Sequence, residues 1–249
     1  MNLEKIYREE DLFPREMVQC EQRDYGLLFH DESNKDSYDS NHAVIFKDKI
    51  VDLGKVLEDI IGFYNEKGMM PIIYQSASDD GYFREVKNTL SAFGFDSWSE
   101  EQKYMVLSEN NAITPNPCIV VKRVSEWNEE YATEIFEKAD EPWEIEVARK
   151  VLKNCNTLFF VAFYEGKPVG MVYAHVRDGI CRGDYLLVSK EYRKMGVGRA
   201  LMFHLVEYCR ANNIENCYLW VEKETAERIY YEAGFREVEV KWAGRAVMR

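Results

Sequence analysis

The sequence predicts an α/β chain of α+β type, built as two mixed-sheet domains with helices on both faces. Three observations carry this. The second half alternates strand-like and helix-like segments in the order β-α-α-β-β-β-α-β-α-β, a hairpin meander leading into a β-α-β crossover. The first half ends on the last part of that same order and closes on the same dipeptide, Gly94-Phe95 against Gly234-Phe235, which suggests an internal duplication. The chain has 249 residues, enough for two domains that each bury a core without disulfides or metals.

The break falls near residue 115, dividing 1–115 from 116–249. Asn110–Pro117, NNAITPNP, holds two prolines and three asparagines and has no apolar periodicity, the composition of a linker. Before it, Tyr25–His30 and Ala43–Lys47 read as strands. Val51–Lys67 reads as a helix, with Leu53, Val56, Leu57, Ile60, Ile61 and Tyr64 on one stripe. Met70–Tyr74 follows as a strand, 80–92 as a helix and Lys103–Leu107 as a strand.

After the break, Cys118–Val124 is a β-branched strand. Ser125 is the expected N-cap of a helix reaching Lys138, and 143–154 is a second helix. Thr157–Tyr164 and Pro168–Val176 form a hairpin across Gly166-Lys167. Asp178-Gly179 turns the chain into the strand Cys181–Val188. Residues 198–212 form a helix with Leu201, Leu205, Tyr208 and Cys209 on one face. Cys217–Val221 is a strand, Thr225–Ala233 a helix and Phe235–Trp242 a strand, with Ala246–Arg249 as a short last one.

Charge excludes some functions. Lys and Arg number 32 against 44 Asp and Glu, a formal net charge of -12, which disfavours nucleic acids and anionic membranes as partners. The acidity is concentrated: residues 1–115 carry 12 basic and 23 acidic residues, residues 116–249 carry 20 and 21. An anionic ligand therefore meets less repulsion at the second half. No run of 18 apolar residues exists, and the charged start MNLEKIYREEDLF has no signal core. Six scattered cysteines without C-x-x-C read as reduced, buried thiols of a cytoplasmic protein. The four histidines give no metal signature; His204 and Glu207 share a helix face but lack a second His.

The chemistry-bearing stretch is Asp184–Ala200, DYLLVSKEYRKMGVGRA. An apolar strand ends at Val188. A polar turn then leads into Arg193-Lys194-Met195-Gly196-Val197-Gly198, and an amphipathic helix starts at once. Glycines remove Cβ atoms where a ligand must come close. The helix start offers unpaired N–H groups and the positive end of the dipole. Arg193, Lys194 and Arg199 add positive charge. The natural guest is a pyrophosphate. The dinucleotide fingerprint fails, because Leu201 stands where its third glycine belongs. The P-loop fails too, because Gly198-Arg199-Ala200 replaces Gly-Lys-Ser/Thr.

What remains, Arg193-x-x-Gly196-x-Gly198 followed by helix, strand, helix and Tyr230-x-x-x-Gly234-Phe235, resembles the core of the GNAT acyltransferase superfamily over 181–235. The whole second half follows that family's element order. The resemblance implies a coenzyme A loop, with amides around Met195–Arg199, Val197 included, on the pyrophosphate of acetyl-CoA. It implies pantetheine along the backbone of Leu187 and Val188, where two strands splay. Tyr230 matches the tyrosine that protonates the departing thiolate; Tyr231 is its neighbour, and helix register favours Tyr230. The expected function is transfer of an acetyl group to a small-molecule or peptide amine by direct attack, by a monomer or homodimer. The alternative is an acyl-CoA-binding or sensing protein with little or no turnover.

The general base is less legible. Asp184 shares a strand face with Leu186 and Val188 if alternation holds, and could reach the amine through water; the competing reading is a structurally paired carboxylate. Glu222 and His175 lie near by sequence. Glu141, Trp143 and Glu144 sit where the family shapes its acceptor site. The link Glu222-Lys223-Glu224 lacks the family's frequent Asn. The first half has no Arg-x-x-Gly-x-Gly equivalent after its second strand, only DKIVDLG, so it is expected to be a degenerate GNAT-like copy.

Overall fold

The computed structural model describes residues 2–221 and 224–249, with the side chains of Glu224 and Thr225 left aside. The chain forms two compact units. One comprises Leu3–Gln102 and Val240–Arg249, the other Lys103–Glu239.

The first unit opens with α1 (Leu3–Leu12), a helix that the sequence reading missed. Its LEKIYREEDL is mostly charged, and Ile6 and Tyr7 are the buried apolar residues that anchor it. Strands β1 (Gln19–Arg23), β2 (Gly26–His30) and β3 (Ala43–Ile45) follow as an antiparallel meander. Helix α2 (Leu53–Glu66) crosses to β4 (Ile72–Gln75), which lies parallel to β3. The Asp52 carboxylate caps α2 by accepting the Lys55 amide at 3.3 Å. Val56, Leu57, Ile60 and Tyr64 are buried, as the stripe predicts, and the Tyr64 hydroxyl donates to the Phe29 carbonyl at 2.9 Å. The expected helix over 80–92 is two short ones, α3 (Tyr82–Glu85) and α4 (Lys87–Ala92), parted at Val86. Strand β5 (Phe95–Leu107) begins eight residues before the expected Lys103 start.

The second unit continues with β6 (Ile119–Arg123) and α5 (Glu129–Tyr131), which runs into a π-helical turn over Ala132–Glu137. Its N-cap is Asn128, which accepts the Glu130 amide at 3.0 Å, rather than the expected Ser125. A 3-10 turn precedes α6 (Ile145–Leu152). Then come β7 (Thr157–Tyr164), β8 (Lys167–Arg177), β9 (Ile180–Val188), α7 (Val197–Ala211), β10 (Asn216–Val221), α8 (Glu224–Ala233) and β11 (Phe235–Met248). The two short final strands expected from the sequence are thus one. In this unit the strands run in the order β5-β10-β9-β8-β7-β6, with β9 and β10 the parallel pair. The core lies between the sheet and α7, whose Ala200, Leu201, Leu205, Val206 and Cys209 are all buried.

The units divide at Gln102/Lys103 rather than near 115, and Val240–Arg249 belongs to the first. Hydrogen bonding explains both shifts. Lys103–Val106 pairs antiparallel with Tyr218–Val221, while Arg245–Val247 pairs antiparallel with Ile72–Tyr74. Each half of the sequence thus lends its last strand to the unit built mainly from the other half. The segment expected as a linker is packed: Ser108 and Glu109 donate to the Gly234 carbonyl, Ala112 to the Glu232 carbonyl, and Ile113 is buried in the core. Gly234 has φ 99°, and a Cβ there would collide with the Glu109 carbonyl, so glycine is required.

Candidate active site

The site begins where two strands part. The parallel pairing of β9 with β10 covers Ile180–Arg182 against Asn216–Tyr218 and stops, although the strands run on to Val188 and Val221. From Gly183 to Val188 the main chain therefore has a ladder on the β8 side and open hydrogen-bonding groups towards β10.

A bulge accompanies the opening. In the β8–β9 register Ala174 faces Gly183 and Tyr173 faces Tyr185, leaving Asp184 as the extra residue. The bulge reverses the expected alternation. Leu186 and Val188 pack into the α7 core, whereas Asp184 turns to Arg182 and His175. Its carboxylate pairs with the Arg182 guanidinium and lies 3.1 Å from His175 Nε2. Burial pushes the Asp184 carboxyl up, but the charge of Arg182 and the contact with His175 outweigh it and hold the carboxyl well below the usual range. Such a group is a poor proton acceptor at neutral pH. Asp184 is the paired carboxylate of the two readings.

The loop after β9 is the segment expected to form the anion cradle. Ser189, fully buried, donates to the Glu134 carbonyl and anchors the turn against the π-helical segment. Lys194 and Gly196 both have positive φ, 65° and 91°. Gly196 is the N-cap of α7 and supplies no side-chain hydrogen bond, so the first amides of a 15-residue helix remain available. Gly198 serves a different end than ligand approach. A Cβ at Gly198 would lie 3.2 Å from Ile229 Cδ1, so this glycine lets α8 pack close to the cradle. The Met195 carbonyl accepts from Asn116 Nδ2 at 3.0 Å, a tether unseen in the sequence because Asn116 lay in the apparent linker.

The three expected cations divide. Arg193 donates from Nε to the Val188 carbonyl at 3.3 Å, and neither Arg193 nor Lys194 forms an ion pair among the described residues. Arg199 is committed: its guanidinium makes a two-pronged pair with Glu232 on α8, Nη2 to Oε1 at 2.8 Å. Its side-chain charge is spent on joining α7 to α8, while its amide stays in the first turn.

Tyr230 sits on α8 beside Ile229, half-buried against the core, with its ring edge-on to Phe235 at 6.3 Å. Tyr231 is exposed, with the Arg236 guanidinium over its ring at 5.6 Å. Helix register therefore separates the two as expected. Leu187 is buried and Val188 half-buried at the end of the open strand. Trp143 is exposed at 66% in the 3-10 turn Pro142–Glu144, with Glu141 at its start. His204 stacks edge-on with Phe203, and Glu207 pairs with Arg210. Glu222 lies outside the described residues. No helix is long and apolar enough to cross a membrane among the described residues.

Residues 121–235 match the model of the Acetyltransferase (GNAT) family. This segment, a little under half of the chain, is similar to that family's domain. A curated relative, an uncharacterized N-acetyltransferase of Methanocaldococcus jannaschii, is 36% identical over 89 residues, which are 34% of this chain and 54% of that protein. The match thus spans about half of the relative's length. Two solved structures share the fold across nearly the whole chain. A GCN5-related N-acetyltransferase from Kribbella flavida has a TM-score of 0.70 at 15% identity, covering 98% of this chain and 94% of its own. A conserved protein of unknown function from Staphylococcus epidermidis has a TM-score of 0.66 at 16% identity, covering 96% of each.

Proposed function

We propose that the Lys103–Glu239 unit is an acetyl-CoA-dependent N-acyltransferase acting on a small-molecule or peptide amine. The observation that carries this is the opening of β9 from β10 directly beside an α7 N-terminus capped by Gly196, with Arg193 and Lys194 in no ion pair among the described residues. The amides of Met195–Arg199 hold the pyrophosphate, and the main chain of Leu187 and Val188 lines the pantetheine path. Acetyl-CoA supplies the thioester carbonyl. A main-chain N–H near Val188 polarises that carbonyl, and the amine attacks directly, without a covalent enzyme intermediate. Tyr230 donates its hydroxyl proton to the leaving sulfur. Asp184 positions the bulge through Arg182 and His175. With no role as base, it leaves the amine to arrive neutral or to lose its proton to water. The six free thiols suit a cytoplasmic setting.

The first unit reads as a second GNAT-like copy that has lost its coenzyme site. Strand β3, a 3-10 turn, α2, β4, α4 and Gly94-Phe95 follow the order of β9, a 3-10 turn, α7, β10, α8 and Gly234-Phe235. Yet β3 and β4 pair to their last residues, Ile45 with Gln75, and Ser76 N extends the ladder to the Ile45 carbonyl at 3.1 Å. No gap opens for a pantetheine arm, and a carboxylate sits on the helix end.

An acyl-CoA-binding protein without turnover is the second reading, favoured by the acidity of Asp184. Release of free thiol from acetyl-CoA across a panel of amines, wild type against Tyr230→Phe, separates the two. The transferase reading expects turnover that falls at least tenfold in the variant with acetyl-CoA affinity retained. No release with any amine while acetyl-CoA still binds selects the second reading.

A further inference from the structure

Three cysteines that acyl transfer does not use meet inside the core of the second unit. Cys181 comes from β9, Cys209 from α7 and Cys217 from β10. Cys181 and Cys217 face each other in the parallel pairing, one position before it ends. All three are fully buried free thiols, and their Sγ atoms lie within 4.8 Å of one another. Among the described residues no His, Asp or Glu joins the group.

We propose that this trio is a three-sulfur binding site for trivalent arsenic, taken up as arsenous acid. The donor count comes first. A closed zinc site takes four ligands, and this one offers three. Charge decides next. The trio belongs to a buried cluster that includes Met105, Ala174, Leu205 and Leu219, an apolar core in which net charge is costly. Three thiolates around a monovalent or divalent ion leave net negative charge there; around arsenic(III) they leave none. Spacing fits as well. Three sulfurs bonded at about 2.3 Å in a pyramid around arsenic stand about 3.5 Å apart, so the trio, within 4.8 Å of one another, need contract by about 1.3 Å at most. Entry is possible because arsenous acid is small and uncharged at neutral pH, and can pass during local opening of α7.

The reaction balances without an oxidant. Each S–H proton leaves with one arsenic-bound hydroxyl as water; three As–S bonds replace three As–O bonds, and arsenic stays trivalent. Occupancy would tie together β9, β10 and α7, the three elements that shape the open strands and present the cradle.

The test uses the reduced full chain and arsenite alone. Cys118 and Cys155 are exposed, so a Cys118→Ser/Cys155→Ser background removes surface thiols without touching the core. Native mass spectrometry should show one arsenic per chain, a gain of arsenic less three protons, with a raised thermal midpoint. Cys209→Ala, which keeps an apolar side chain, should lose the adduct. If that variant fails to fold, arsenic-edge absorption on the background complex decides, with three sulfur and no oxygen neighbours expected. No adduct, a two-sulfur adduct, or an adduct that persists in Cys209→Ala overturns the proposal.

Discussion

Gly196 opens α7 where Asp52 opens α2, and the two residues leave those helix ends in opposite electrical states. Asp52 fills its own helix start with a carboxylate that accepts the Lys55 amide at 3.3 Å. Gly196, at φ 91°, puts nothing there. The amides of a helix N-terminus favour an anion. At α2 that anion is built into the chain; at α7 the place is open, with Arg193 and Lys194 close in sequence. On the proposed function, a bound pyrophosphate would belong at α7 and be repelled at α2.

Asp52→Ala should therefore lower stability by about 1 kcal/mol, the usual worth of an N-cap. It should leave acetyl-CoA affinity unchanged. Urea unfolding and titration of the same sample check both, and a large change in affinity would place the coenzyme in the wrong unit.

Gly196→Ala forces an L residue into the left-handed region, at a cost of about 1–2 kcal/mol. The new Cβ would make only an ordinary contact with Asn116 Cβ, at 3.5 Å, so the cost is one of backbone conformation. Thermal melts should show the loss of stability, and acetyl-CoA affinity should drop with it. A variant as stable and as tight as the wild type would show that the positive φ is not needed.

Asp184→Asn leaves the buried Arg182 without its carboxylate. Breaking such a pair costs about 3 kcal/mol or more. Because the folded carboxyl titrates below its unfolded range, the pair's stabilisation is complete above about pH 4 and fades only as pH falls through the folded value. Stability between pH 5 and 8 should then show no step from Asp184. The rate profile should likewise lack an Asp184 limb, and an acidic limb abolished by Asp184→Asn would restore it as the base.

Asp11 behaves in the opposite sense. Burial raises its carboxyl to about 7, against the hydrogen bonds from Ser76 and the Ala77 amide. The folded chain then holds a proton that the unfolded chain releases near pH 4. Stability should fall as pH rises from about 4 to about 7, by up to about 4 kcal/mol, and level off above. Asp11→Asn should flatten that slope in urea melts taken across the range; an unchanged slope would assign it to other groups.

The C-terminal elements were legible because their periodicities agree with their burial. Thr157–Tyr164 is a strand buried over most of its length, and α7 carries its apolar residues on one face. Helix α1 was not, because a short charged helix with two buried apolar residues gives little pattern. The domain boundary was misplaced because exchange of Lys103–Val106 and Arg245–Val247 is a matter of pairing partner, which composition does not encode. At the candidate site, the glycine-led start of α7 was readable from spacing, whereas Tyr230 entered only through the family resemblance. The side of the strand on which Asp184 lies was not, since one bulge residue reverses every side chain beyond it. Arg199 also reads as a free cation until Glu232, 33 positions on, is seen to hold it.

The most direct test is calorimetric titration of the full chain with acetyl-CoA, wild type beside Gly198→Glu, with a melt to show that the variant is folded. One molecule of acetyl-CoA should bind per wild-type chain. The variant should not bind, because its side chain adds a carboxylate in the first turn of α7. Absence of binding to the wild type, or equal binding by the folded variant, would remove the coenzyme from the α7 N-terminus.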